Sequence, residues 1–357
     1  MSEMKGLVLS GGEGTRLRPI TFTQAKQLIP VANKPVLFYG LESLRRAGIK
    51  NVGIVVGDTH REIESAVGKG KDFSLNVTYI HQEKPLGLAH AVLISEFFLE
   101  GDDFLMYLGD NILKEELTPY VERFQKEKPD ALLLLVEVKN PSQFGVAELK
   151  GNRVIRLIEK PEKPPSNLAL AGVYLFSPKI ISAAKRIKPS WRGELEITDA
   201  INELLNHGGK VIFQKAQGWW KDTGKLEDIL EANRLVLDDL ERQIMGEIKN
   251  SNLEGRIKIG KGTVIENSRI LGPSIIGENV KVFGSYIGPY TSVQDGVILE
   301  NVEIENSIIL KESIIKNING RIHFSLIGRG VKILKKNGHP KGVSLMIGER
   351  STIEFTD

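Results

Sequence analysis

The run Leu7-Val8-Leu9-Ser10-Gly11-Gly12-Glu13-Gly14-Thr15-Arg16-Leu17 joins a short apolar stretch to a glycine-rich turn, and Lys26-Gln27-Leu28-Ile29-Pro30-Val31 follows. This order of parts points to phosphate. Glycines let backbone N–H groups approach anionic oxygens that a Cβ would hold off. Arg16 and Lys26 add positive charge to offset what remains. A P-loop needs Lys-Ser or Lys-Thr directly after its last glycine, whereas Thr15-Arg16 follows Gly14. A dinucleotide fingerprint needs a third glycine where Leu17 stands. Taken alone, the turn is equally compatible with glycines kept for geometry.

Other residues have types and positions suited to chemistry. Asp110 ends an apolar stretch in Leu108-Gly109-Asp110-Asn111. Open α/β sheets bind ligands at the carboxyl ends of their strands, where a carboxylate can hold Mg²⁺; the alternative is a turn or capping aspartate. Asp222, in Trp219-Trp220-Lys221-Asp222-Thr223-Gly224, precedes a helix starting near Lys225, with a cap-region role as the alternative. Gln82 carries an amide that can pair with a pyrimidine edge and Gly87 permits close backbone approach, though by themselves they read as an ordinary loop. Glu159-Lys160 by itself reads as a solvated surface pair, whose carboxylate can accept and whose ammonium can bind an anion. No two of His60, His81, His90, His207, His323 and His339 have metal-ligand spacing, so zinc is not expected. Trp191, Trp219 and Trp220 read as packing residues.

Two kinds of architecture must position these groups. Up to about residue 240, short β-branched runs alternate with amphipathic stretches, which predicts an α/β domain with a mostly parallel sheet. Strands are expected at Leu7–Leu9, Val52–Val56, Val77–His81, Phe104–Tyr107, Ala131–Glu137, Val173–Phe176 and Val211–Gln214. Helices are expected at Val36–Ala47, His60–Val67, Ala89–Glu96, Thr198–Asn206 and Lys225–Leu240. After Ile248 an aliphatic residue recurs every five or six positions, from Ile259 through Ile265, Leu271, Ile276, Val282 and Ile287 to Ile315. Gly, Asn, Ser and Pro fill the gaps, as in a hexapeptide-repeat β-helix. The segment Leu334–Phe355 leaves this period and is expected to cap the stack. The expected domains are 1–245 and 246–357.

Composition narrows the function. The 357 residues carry 48 basic and 45 acidic side chains, a net charge of +3, so no global field recruits nucleic acid or an anionic membrane. There are no cysteines, no leader-like run in Met1–Gly6 and no apolar run of the ~20 residues that span a bilayer, so a cytoplasmic protein is expected.

The pattern Gly-Gly-x-Gly-Thr-Arg-Leu-x-Pro-x-Thr, then Lys-Gln-Leu-Ile-Pro-Val-x-x-Lys-Pro, runs from Gly11 to Pro35 and resembles the signature of the sugar-nucleotide pyrophosphorylases. The resemblance extends over nearly the whole chain, to the long thymidylyltransferase form with a C-terminal left-handed β-helix. It implies a Rossmann-like nucleotidyltransferase domain followed by that helix. It also implies Mg²⁺-dependent transfer from dTTP to glucose 1-phosphate, giving dTDP-glucose and pyrophosphate, in a homo-oligomer held through the β-helix. Arg16, Lys26 and Lys160 would be catalytic by this resemblance. Leu9, Gly11, Gly12, Gly14, Thr15, Arg16, Gln27, Gln82, Gly87 and Asp110 would bind the nucleotide. Gly145, Glu159, Lys160, Gly172, Val173 and Arg192 would bind the sugar phosphate, and Asp110 and Asp222 would hold the metal. The pair Lys26-Gln27 resembles the thymidylyl enzymes, where uridylyl enzymes look more like Lys-Glu. Two alternatives stay open. One is a UTP-dependent N-acetylglucosamine-1-phosphate uridylyltransferase, with or without acetyl transfer in the β-helix. The other is a non-catalytic subunit, which the retained charged residues disfavour.

Overall fold

A computed structural model describes residues 3–335 and 349–354 of the chain. The chain divides into two compact units: Met1–Gly14, Gln24–Leu28 and Val36–Asp222 form one, and Thr15–Thr23, Ile29–Pro35 and Thr223–Asp357 the other. By contacts, the helix Leu226–Leu237 and the two short N-terminal stretches group with the repeats rather than with the sheet.

The first unit is built on a nine-stranded sheet. Its parallel half sets Lys5–Ser10 between Asn51–Val56 and Phe104–Leu108, with Asn76–His81 at the edge. In the other half Leu168–Phe176 pairs antiparallel with Phe104–Leu108, with Ala131–Glu137 and with the hairpin Gly145–Lys150/Arg153–Glu159, while Val211–Lys215 lies parallel to Ala131–Glu137. The sheet is thus mixed. The hairpin gives no strand signal in sequence because charged residues at 153, 156 and 159 interrupt its outer strand, leaving neither an apolar run nor a period of two.

Strands such as Lys5–Ser10 and Ala131–Val136 are buried on both faces, as their continuous apolar runs require. Successive residues feed different cores: Val8, Leu132 and Leu134 join one cluster, while Leu7, Leu9, Leu133 and Leu135 join the other. The helix expected over Ala89–Glu96 is broken. Leu88–Ile94 ends at Ser95, whose Oγ donates to the Ala91 carbonyl at 2.7 Å, and a short second helix runs Glu96–Leu99. Such back-bonding competes with the helix ladder.

Leu168–Phe176 holds the sharpest irregularity. Its register against Ala131–Glu137 shifts between Leu170 and Tyr174, around Gly172 with φ +71°. A glycine takes this conformation without the steric cost of a Cβ.

In the second unit, strands of two or three residues stack into three parallel sheets. Ile259 pairs with Ile276, Ile276 with Val293, and Val293 with Ile309, so one aliphatic per strand forms a continuous column. The columns Ile265–Val282–Leu299 and Ile270–Ile287–Ile304 complete a three-sided core, in keeping with the expected left-handed β-helix. Asn250, Asn267, Asn279, Asn301 and Asn317 have positive φ at the corners, a conformation asparagine tolerates better than most residues. Serines tie the coils: Ser285 N–H donates to Ser268 Oγ at 3.0 Å, and Val302 N–H to Ser285 Oγ at 3.2 Å. Most of Leu334–Phe355, the expected cap, lies outside the described residues.

Candidate active site

The parallel strands deliver their carboxyl ends to one place. Ser10 ends the first strand and leads into Gly11 and Gly12; Gly109 N–H donates to the Leu9 carbonyl at 2.9 Å, which sets Asp110 beside that turn. The short strand Trp220–Asp222 pairs antiparallel with Asn111–Leu113, placing Asp222 opposite Asn111. Two aspartates far apart in sequence become neighbours through this ribbon. Between them lies Lys26, 8% exposed, with Nζ 2.5 Å from Asp110 Oδ2 and 4.0 Å from Asp222 Oδ1. An ammonium removed from water needs such partners.

Buried polar atoms without a hydrogen-bond partner gather here: Ser10 Oγ, Gln27 Oε1, Asn111 Oδ1 and Trp220 Nε1. A fold rarely leaves such groups unsatisfied, and a polar ligand is one way to complete them. The donor set Asp110, Asp222 and Asn111 is all oxygen, as Mg²⁺ prefers.

Gln82 stands beside the glycine turn. Its Oε1 would be 3.1 Å from a Cβ at Gly11, and its Nε2 is 2.9 Å from His90 Nδ1. His90, which fixes the amide, was missed in the sequence because nothing distinguishes it from a helical surface histidine. Gly87, at φ +103°, lies against Leu195, where a Cβ would collide with backbone. The two loops are joined by Leu195 N–H donating to the Leu86 carbonyl at 2.7 Å and Ala89 N–H to the Leu195 carbonyl at 3.0 Å. Gly12 faces the Gln27 amide.

A second polar group forms at the antiparallel half. Glu159 pairs across the hairpin with Gly145 and accepts from Thr198 Oγ1 at 3.4 Å. Burial first, then the neighbouring Glu196, raises the Glu159 carboxyl above its usual range; Lys160 and Arg192 oppose the rise. Arg192 is held by three carboxylates: Glu194 at 2.7 Å, Glu196 at 3.2 Å and Glu159 at 3.7 Å. Lys160 is exposed, and its N–H donates to the Phe144 carbonyl at 3.0 Å. Phe144 meets Trp220 edge-on at 5.4 Å, which links this group to the strand carrying Asp222. Gly172 abuts the Asn111 amide, with no room for a Cβ. Val173 is fully buried. Trp191 departs from the packing role expected of it: it is 85% exposed, next to Arg192. Trp219 and Trp220 are half-buried.

The first unit thus gathers Leu9, Gly11, Gly12, Lys26, Gln27, Gln82, Gly87, Asp110 and Asp222 with the Gly145–Glu159–Arg192 group. Gly14 closes its first stretch at φ +65°. Thr15 and Arg16 fall in the second unit, on the exposed start of the turn Thr15–Leu17.

A glycine turn at a strand end thus lies beside two carboxylates and a buried lysine. Residues 5–239 match the nucleotidyl transferase family, and the chain belongs to it. It is 52% identical to a glucose-1-phosphate thymidylyltransferase of Streptomyces griseus, over 99% of this chain and 100% of that one. It is 49% identical to the low-salt glycan biosynthesis nucleotidyltransferase Agl11 of Haloferax volcanii, over 99% of this chain and 100% of that protein. A crystal structure of a glucose-1-phosphate thymidylyltransferase assigned in Bacillus anthracis, in complex with a sucrose, superposes with TM-score 0.63 at 38% identity, covering 68% of this chain and 98% of that one.

Proposed function

We propose that this protein transfers a thymidylyl group from dTTP to glucose 1-phosphate, releasing pyrophosphate and forming dTDP-glucose. The observation that carries the reading is the Lys26–Asp110–Asp222 cluster at the strand ends beside the glycine turn. The names of its full-length relatives support it.

The sugar-phosphate oxygen attacks the α-phosphorus in line. It is already an anion, so the reaction needs no general base. The barrier lies in bringing two anions together and in charge growing on the leaving pyrophosphate, so catalysis is positioning plus neutralisation. Backbone groups of Gly11, Gly12 and Gly14 cradle the triphosphate, and Thr15 and Arg16 continue the same sequence motif. Lys26 exchanges a carboxylate for the reacting phosphates. Asp110 and Asp222 would hold Mg²⁺, which when bound offsets triphosphate charge. Gln82 reads the base while His90 fixes its amide; Gln27 and Gly87 line the same subsite. Glu159 accepts from sugar hydroxyls beside Gly145, Gly172 and Val173. Lys160 and Arg192 anchor the sugar phosphate, Arg192 by releasing one of its three carboxylates.

The catalytic domain in this reading is residues 1–245. The coils of 246–357 serve self-association, which a strictly monomeric mass by light scattering would contradict. In this reading the reaction takes place in the cytoplasm, where its triphosphate and sugar-phosphate substrates are made.

The test is pyrophosphate release with Mg²⁺ across four nucleoside triphosphates and the 1-phosphates of glucose, glucosamine, N-acetylglucosamine and galactose. Turnover should concentrate on dTTP with glucose 1-phosphate. UTP should retain some activity, because a missing methyl discriminates only ~1–3 kcal/mol and a pocket that makes no polar contact there also rejects the added 2′-hydroxyl weakly. A preference for UTP with N-acetylglucosamine 1-phosphate would overturn the assignment.

A further inference from the structure

Outside the centre just described, His60, Glu64 and His81 converge. His60 and Glu64 stand one turn apart on the helix His60–Val67, and His81 ends the strand Asn76–His81. One donor atom from each lies within 4.8 Å of the others. His81 Nε2 is 3.5 Å from Glu64 Oε1, and the two histidine rings meet edge to face at 4.9 Å. His60 Nδ1 is 3.3 Å from the Gly57 carbonyl. A proton on Nδ1 donates to that carbonyl and leaves Nε2 as the ring's electron-pair donor. Metal-ligating histidines are oriented by such an outer hydrogen bond.

We propose that His60, Glu64 and His81 form a site for a zinc-class divalent ion, with water as the fourth ligand. Two imidazoles and one carboxylate are a zinc donor set, and three protein ligands leave one position open. Mg²⁺, which favours oxygen ligands, is not suited to it. A surface ion pair between His81 and Glu64 accounts for two of the three groups; it does not account for His60, tethered through Nδ1 beside them. Spacing along the chain hid the site because a helix and the following strand supply its ligands.

The ion would act as a clamp. Gln82 follows His81 directly. Glu62, on the same helix as His60, accepts the Ala25 N–H beside Lys26. Gly57, at the foot of that helix, packs against Gly11, where a Cβ would come within 3.0 Å of the Gly11 carbonyl. Metal at this point ties together the segments that flank the glycine turn. Its effect should appear as stability rather than as chemistry.

The experiment is calorimetric titration of chelator-stripped full-length protein with Zn²⁺, with Co²⁺ as a spectroscopic probe. Wild type should bind one tight equivalent, show the intense visible bands of four-coordinate cobalt, and melt higher as Zn²⁺ rises. His60→Ala and His81→Ala should each weaken zinc by at least about tenfold and abolish the bands. Glu64→Gln, at a half-exposed helix position, serves as a third variant should either histidine variant fail to fold. His207→Ala, and the double variant Asp110→Asn/Asp222→Asn, should keep both signals. Equal zinc affinity in wild type and in the double variant His60→Ala/His81→Ala would overturn the site, as would only the weak spectrum of six-coordinate cobalt.

Discussion

The sheet unit and the stacked coils solve the same burial problem in opposite ways. In the coils, one aliphatic per strand stacks on its counterpart in the next turn, as Ile270 on Ile287 and Ile287 on Ile304. Their serine hydroxyls accept the N–H of the neighbouring coil. In the sheet unit, whole strands are buried, but the rules lapse at the carboxyl ends. There Gly172 breaks a register, Lys26 is buried among acids, and Ser10, Gln27 and Asn111 keep polar atoms unsatisfied. The contrast teaches where to look for chemistry. Unsatisfied buried side-chain atoms occur in both units, Asn306 Oδ1 among the coils included, but those of the sheet unit cluster at the strand ends, which makes that end the candidate for ligand binding.

The comparison can be broken by exchanging the consequences of mutation. Ile304→Ala in the coil core should lower stability by about 2–5 kcal/mol, because a fully buried side chain leaves a cavity, while kcat per folded molecule stays unchanged. Chemical denaturation with parallel kinetics checks this. Asp110→Asn and Asp222→Asn should act on catalysis. Each should raise the barrier by about 2.7–4 kcal/mol, a hundred- to thousandfold in kcat per folded molecule, and Asp110→Asn should also lower melting because it removes the nearer partner of buried Lys26. Wild-type turnover and metal dependence in both variants would remove these residues from the centre.

Smaller effects sharpen the same point. Ser285→Ala leaves the Val302 N–H without its partner and should cost about 1–3 kcal/mol in denaturant titration, again without a kinetic effect. Glu159→Gln is the subtlest. Burial and Glu196 raise the Glu159 carboxyl, so the fold disfavours its ionised form. The resulting penalty is absent below the ordinary carboxyl pKa of 4.5, where folded and unfolded states are both protonated, and is in full force above the raised value. Glu159→Gln should therefore melt higher than wild type at neutral pH. That advantage should fade as pH falls toward 4.5, and the KM for the sugar phosphate should rise. Melting curves across pH decide it.

Much of this was legible in the chain. Continuous apolar runs marked the strands around Val8, Ile54 and Leu133, because strands covered on both faces admit no alternation. The aliphatic period gave the coils, because each turn repeats its neighbour's environment. The glycine turn and the motif that follows it mark a candidate phosphate site through the family resemblance they carry together. Local spacing could not show the convergence of Lys26, Asp110 and Asp222, the contact of His90 with Gln82, the three carboxylates around Arg192, or the exposure of Trp191. It could not show His60 meeting His81 either. Sequence fixes periodicity, and so it determines which face of an element is buried. Which strand ends become neighbours depends on pairing between distant segments, and only the tertiary structure decides that.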